Sequence, residues 1–530
     1  VVCHRFYHVS SHSSRSFWNH KLKFLMFSGD PTVFGNLQPP VEVIEAVQES
    51  LLSIRYNGYA PSTGYHEARE AVARYSSSGT VTVDPENVVL CSGCSCALDL
   101  CITVLANPGQ NILVPRPGFS IYRTLAEGLG IRVKFYNLQP ERGWEVDTTH
   151  LRNQIDTATA AVVINNPSNP CGSVYSREHL MDILQVARAK FVPVIADEIY
   201  EHMVFPGQTF HPLASLSKDV PILSCSGLTK RFLVPGWRMG WIIIHDRHDI
   251  FEQAEVRSGL QRLSQRIIGS NTLIQGALPC ILQRTPEKFY EDTVRTLQRH
   301  ADIAHSALSL VRGLTPVMPK GALYMMVSIT MTEFPEFRSE LHFVEQMVTE
   351  ESVFCLPSKC FDYPNYMRLV LTVPEGHLRE ACQRIADFCR RHHRPEKGAH
   401  NGDRHRSSSN DTGTGVDALS SNKAGTNVEE CTSNNAETNV DTHSSRTDNT
   451  NVDILSSRND NTNVDTLSSN KANTNLDTLN SNKTSTNVDT LISNKDNTNV
   501  DTLSSNKDNT NVDTCIANTL TTYCSSLKVP

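Results

Sequence analysis

Five short segments carry residue types that could do chemistry together. Ser226-Gly227-Leu228-Thr229-Lys230 ends on a primary amine, and Asp197-Glu198-Ile199-Tyr200 offers a carboxylate and a phenol. Ser92-Gly93-Cys94-Ser95 leads into a helical pattern and offers amide and hydroxyl donors suited to a phosphate. Residues 166–172 (Asn-Pro-Ser-Asn-Pro-Cys-Gly) and Gly236-Trp237-Arg238-Met239-Gly240 complete the set. A primary amine condenses with an aldehyde, a phosphate cup anchors one, and a carboxylate can balance a charged ring. Together they suggest a site for pyridoxal 5'-phosphate.

These segments need a scaffold that delivers them to one place. Four follow a short apolar run of the kind that forms a buried strand, at Val88–Cys91, Ala161–Asn165, Val192–Ala196 and Ile222–Cys225; the fifth immediately precedes another at Trp241–Ile244, and Asn111–Val114 is a sixth such run. Helical patterns such as His179–Lys190 lie between them. Strands alternating with helices predict an α/β fold whose mostly parallel sheet is covered on both faces. Ligands of such sheets gather at the carboxyl ends of the strands, where these polar segments fall.

Composition narrows the class. The chain has 530 residues and a net charge of −7, and all of that excess lies beyond residue 397, where 17 acidic residues face 10 basic ones. The rest is neutral by count, which argues against a nucleic-acid partner held by bulk charge. No apolar run of about 18 residues occurs, so no membrane-spanning helix is expected. Fifteen irregularly spaced cysteines suit reduced thiols better than a disulfide framework. Cys91, Cys94, Cys96 and Cys101 crowd together, but no second cluster follows at zinc-site spacing, so no metal is expected.

Both ends differ from the body. The first 23 residues are rich in His, Ser and Arg, and no acidic residue precedes Asp30. That faintly resembles a mitochondrial presequence, though an incomplete start gives the same pattern. Residues 396–530 repeat a unit of twelve, with its acidic position at Asp417, Glu429, Asp441 and onward to Asp513. Each unit has about two apolar side chains, too few to offset the entropy of ordering it, so a disordered tail is expected over a β-solenoid.

The body resembles the fold-type I, class-I pyridoxal-phosphate-dependent aminotransferases. The resemblance runs from Lys23 to near His393 and rests on six ordered segments. They are Ser28–Asn36, Tyr56–Ser62, Asn111–Phe119, Asn165–Gly172, Ala196–Tyr200 and Leu228–Trp241. It implies that Lys230 holds the cofactor aldehyde and later moves the substrate proton, while Asp197 keeps the pyridine nitrogen protonated. Tyr200 and Asn169 would donate to the cofactor's phenolate oxygen. Gly93, Cys94 and Ser95 would form the phosphate cup, with Arg238 pairing with the phosphate and Phe119 stacking on the ring. Arg368 would grip the substrate α-carboxylate as a fork, approached by the Gly29 backbone and by Asn169. Tyr59 would reach the phosphate of the neighbouring subunit, which implies a homodimer. Where the family more often has an amide side chain, this sequence has Cys96.

The resemblance further implies a ping-pong transamination. L-Tyrosine would be the donor and 2-oxoglutarate the acceptor, giving 4-hydroxyphenylpyruvate and L-glutamate as the first step of tyrosine breakdown. Residues 84–285 would form the large cofactor-binding domain, and 24–83 with 286–395 a smaller α+β domain. The expected compartment is the cytoplasm, with the mitochondrion open. Two alternatives stand beside this reading. One is a related aminotransferase acting on alanine, kynurenine or many substrates, or a C–S lyase. The other is a binding or assembly protein with a vestigial enzyme body.

Overall fold

The computed structural model of the chain describes residues 24–394 apart from residue 80, and the backbone of 480–482 and 486–489. The expectations for residues 1–23 and for the repeats lie outside the described residues, apart from the strands Asn480–Asn482 and Thr486–Asp489, which pair antiparallel.

The first strand, β1 (Phe24–Leu25), is short. An eight-stranded sheet follows, built from β2 (Val88–Cys91), β3 (Asn111–Arg116), β4 (Arg132–Gln139), β5 (Glu145–Val146), β6 (Thr159–Asn165), β7 (Val194–Asp197), β8 (Ile222–Gly227) and β9 (Gly240–His245). Their spatial order is β2-β9-β8-β7-β6-β3-β4-β5. β4-β3-β6-β7-β8 run parallel, and β9 runs antiparallel to β2 and β8 on either side. β2, β7 and β8 are buried at every residue, which is why they read as mainly apolar runs. Register then sets the site. Asn165 pairs with Asp197, Asp197 with Cys225, and Gly227 with Gly240, so four polar segments leave the sheet at one end.

All six strands expected from the sequence are present. β7 starts at Val194 rather than Val192. The intervening Pro193 has no N–H to give a ladder, although its carbonyl accepts from Val162. The helix expected at His179–Lys190 spans Arg177–Ala189, capped by the Ser176 hydroxyl accepting from the His179 N–H. It buries Leu180, Ile183, Leu184 and Ala187 on one face.

A second sheet holds β10 (Leu314–Val317), β11 (Tyr324–Ile329), β13 (Leu356–Pro357) and β14 (Tyr366–Val370) in the order β10-β11-β14-β13, all antiparallel. β12 (Val353–Phe354) pairs with β1 in parallel. The early segment divides its packing. Phe24 and Met26 share a core with Leu369 and Ile385, whereas Val43, Ala46, Ala68 and Val72 pack with Leu90, Trp241 and Ile274.

Candidate active site

The loop after β8 delivers Lys230 to the strand-end crevice. Its Nζ donates to the Gly29 carbonyl over 2.7 Å, so the amine faces the early segment and not bulk solvent. The same amine lies 5.9 Å from the centre of the Tyr200 ring.

Asp197, the last residue of β7, is only 2 % exposed. Its carboxylate accepts from the Tyr122 hydroxyl at 2.6 Å, from the Ile199 N–H at 3.3 Å and from the Cys94 thiol at 3.7 Å. Burial raises its pKa above the usual carboxylate range, and the Tyr122 bond, the Ile199 N–H, the Cys94 thiol and the Lys230 charge work against that rise. A buried carboxylate with so little positive charge beside it is poised to pair with a cation brought in by a ligand.

The end of the site expected to take a phosphate is built by Gly93 and the helix Cys94–Leu105. Gly93 is the N-cap, at φ 81°, and no side chain caps the helix. Its first-turn amides therefore face outward at the positive end of the helix dipole. A Cβ on Gly93 would lie 2.5 Å from a guanidinium nitrogen of Arg238, so a side chain there would fill the cradle. Arg238 is held in place by donating to the carbonyls of Ser92 and Pro235, each at 3.0 Å. Ser95, half-buried, follows in the same turn. The Thr229 hydroxyl is buried beside Lys230 without a hydrogen-bond partner.

Arg368 comes from the second sheet, where it pairs with Met326 and Leu356. It is 5 % exposed and donates to Asn169 Oδ1 at 2.8 Å and to the Phe27 carbonyl at 2.7 Å. Its guanidinium lies 4.2 Å from the centre of the Tyr324 ring. Asn169 is fixed from behind by its own N–H donating to Asn165 Oδ1 at 2.7 Å. Tyr200 shares a 2.7 Å hydrogen bond with Tyr324, and burial raises the Tyr200 pKa. A Cβ on Gly29 would meet the Tyr324 hydroxyl at 2.7 Å, so a side chain there would push the tip of that ring aside.

The structure thus brings together Lys230, Asp197, Tyr200, Asn169, Gly29 and Arg368, with Gly93, Cys94, Ser95 and Arg238 at the start of the helix Cys94–Leu105. Phe119 sits nearby, its ring 6.0 Å from that of Tyr122 and edge-on to it. Tyr59 is not drawn in within one chain, being 87 % exposed. Two contributors lie outside the segments that the sequence singles out. Tyr122 and Tyr324 each touch a site residue through tertiary contacts that no local motif announces, whereas Asn165 opens the segment 165–172 and acts within it. The donor set fits pyridoxal 5'-phosphate, with an uncapped helix start and a guanidinium for the phosphate, a buried carboxylate for the ring nitrogen, and an amine for the aldehyde.

Fold and site together define a pyridoxal-phosphate-dependent enzyme of the aminotransferase type. Residues 23–385 match the model of the family "Aminotransferase class I and II", and the chain belongs to that family. It is 56% identical over 371 residues to a tyrosine aminotransferase of Mus musculus, covering 70% of this chain and 82% of that one. It is 46% identical over 367 residues to a tyrosine aminotransferase of Dictyostelium discoideum, covering 69% of this chain and 88% of that one. A solved tyrosine aminotransferase structure from Leishmania infantum superposes with a TM-score of 0.69 at 34% identity, covering 71% of this chain and 93% of that chain.

Proposed function

We propose that the chain transfers the amino group of L-tyrosine to 2-oxoglutarate, yielding 4-hydroxyphenylpyruvate and L-glutamate in two half-reactions at one site. The observation that carries this reading is the convergence of the Lys230 amine, the Asp197 carboxylate and the Arg368 guanidinium at the strand-end crevice of a chain so similar to tyrosine aminotransferases.

When bound, pyridoxal 5'-phosphate supplies an aldehyde for the amino group and a ring that accepts electrons from the substrate Cα. The chain's residues hold and steer that chemistry. Arg238 and the amides at Cys94 and Ser95 seat the phosphate dianion. Asp197, kept in place by Tyr122, holds a proton on the ring nitrogen. Phe119 would cover one face of the ring. Arg368 grips the α-carboxylate that both substrates carry, with Asn169 orienting its fork and the Gly29 backbone leaving room. Lys230 moves the proton from the amino-acid Cα. Tyr200 and Asn169 donate to the phenolate oxygen and tune the pH at which that transfer runs.

A homodimer belongs to the same reading. Val41, Leu52, Ile54 and Tyr59 expose large apolar side chains along the early segment, as a surface covered by a second copy would. Tyr59 would then reach the phosphate of the neighbouring site. The cytoplasm remains the proposed compartment, supported by the free thiols among the described cysteines. The two sheets support the division into a large domain and a small one, with residues 286–395 carrying Arg368.

The test is a steady-state comparison of amino donors with 2-oxoglutarate as acceptor. Tyrosine is expected to give the highest kcat/KM. A higher value for alanine or kynurenine, or pyruvate release from cystathionine, would overturn the substrate assignment.

A further inference from the structure

A second cavity, of about 310 Å³, lies on the face of the eight-stranded sheet turned away from helix Cys94–Leu105. Ile242 and Ile244 share a core with Cys101 of that helix, whereas Trp241 and Ile243 belong to the core on the other face. Ser224 pairs with Ile243 and Ser226 with Trp241 across β8 and β9, and all four line the cavity. Glu198 and Glu201 line it from the turn that carries Asp197 and Tyr200. Exposed Ser78 and His202 line it as well, so it opens to solvent. No lysine or arginine is among its described lining residues.

The polar groups of this cavity are unevenly met. Glu198 is 6 % exposed, its Oε1 accepting from the Leu213 N–H at 2.8 Å, and Glu201 accepts from the Ser226 hydroxyl at 2.7 Å. These donors are neutral. The Arg231 guanidinium acts on Glu201 from a distance, being drawn to the Tyr75 hydroxyl and over the Tyr290 ring, 3.9 Å from its centre. Trp241 is fully buried, and its indole N–H has no acceptor. A buried donor left unmet is costly, so such a group calls for a partner.

We propose that the cavity binds a compact amino alcohol as its cation, the ammonium pairing with Glu198 and Glu201 and the hydroxyl oxygen accepting from the Trp241 N–H. An inorganic cation would leave the indole unmet, and an anion would face the two carboxyl groups. The volume equals that of roughly ten liquid waters, which limits the ligand to about ten non-hydrogen atoms. The Tyr75 and Phe210 rings in the wall suit its methylene stem.

Entry of a cation moves a proton. Burial pushes the Glu198 carboxyl up to about 8, the Leu213 N–H and the Ser224 hydroxyl pulling it down and the charges of Glu201 and Asp197 pushing it up. Burial raises Glu201 too, against Ser226, Arg231 and Tyr75. His202 and His245 also face the cavity, and burial lowers His245 to about 4, so it brings no charge at pH 7. An ammonium beside Glu198 favours its ionised form. Binding at pH 7 therefore expels a carboxyl proton.

The experiment is calorimetric titration at pH 7 of full-length, cofactor-loaded protein in which borohydride has reduced the cofactor onto the chain, leaving no aldehyde for an amine. The probes are linear amino alcohols of about two to five carbons, within the size limit above, with alkylamines and alcohols of the same length as controls. At least one amino alcohol should bind saturably, with Kd at or below about 1 mM. It should bind about tenfold more tightly than its alkylamine, as one hydrogen bond supplies, and the alcohol should not bind. Buffers of different ionisation enthalpy should report about one proton released per amine bound. Glu198→Gln should weaken binding at least about tenfold and abolish that release, and Trp241→Phe should erase the advantage of the hydroxyl. The probe comparison on the parent chain holds whether or not either variant folds. No saturable binding, equal affinity for amino alcohol and alkylamine, or binding without proton release would each overturn the site.

Discussion

The hydroxyls of Tyr200 and Tyr324 lie 2.7 Å apart, joining the loop after β7 to the first residue of β11. Tyr324 also touches two other site residues, beneath the Arg368 guanidinium and against Gly29. It therefore holds Tyr200, Arg368 and Gly29 in one arrangement. Chained hydrogen bonds polarise one another, so Tyr324 strengthens Tyr200 as a donor. Tyr324→Phe should lower kcat/KM for tyrosine about tenfold, in line with roughly 1 kcal/mol for one bond. The pH midpoint of the cofactor's absorbance transition should move upward. An unchanged midpoint would assign Tyr324 to packing only.

Arg368 donates through two nitrogens to two different acceptors, which fixes the plane of its fork. Lysine keeps the charge but cannot present two parallel N–H groups. Arg368→Lys should therefore lower kcat/KM about 100-fold for tyrosine and for 2-oxoglutarate alike, consistent with roughly 2–3 kcal/mol for a charged bidentate contact. Measuring each half-reaction separately checks this. A loss confined to one substrate would contradict a shared carboxylate grip.

Much of this arrangement is legible in the sequence, for identifiable physical reasons. Strands buried on both faces read as apolar runs, so Asp197 and Lys230 could be placed at strand ends from their neighbours alone. β4 (Arg132–Gln139) escaped because its half-buried residues include polar ones. Tyr122 and Tyr324 escaped for a different reason. Each acts across a long stretch of chain, Tyr122 on Asp197 and Tyr324 on Tyr200, and no local spacing encodes such a contact.

Glu198 sits next to Asp197 but lies apart from the catalytic set. It is buried, with Oε1 accepting from the Leu213 N–H at 2.8 Å, and burial pushes its carboxyl up to about 8. Between about 4.5 and 8 the folded chain holds a proton there that the unfolded chain has released. Its contribution to stability is thus full below about 4.5 and falls as pH rises toward 8. Glu198→Gln keeps the acceptor and removes the titration. The variant's Tm should exceed the parent's by about 2–4 °C at pH 8, with little difference at pH 4.5. Equal Tm values at both pH values would refute this.

The chemistry of the site depends first on which amine holds the cofactor. Borohydride reduction of the pyridoxal-phosphate-loaded protein, followed by peptide mapping, should place a single pyridoxyl group on Lys230, and Lys230→Ala should yield none. A label on another lysine, or an unlabelled Lys230 in protein that carries the cofactor, would contradict it.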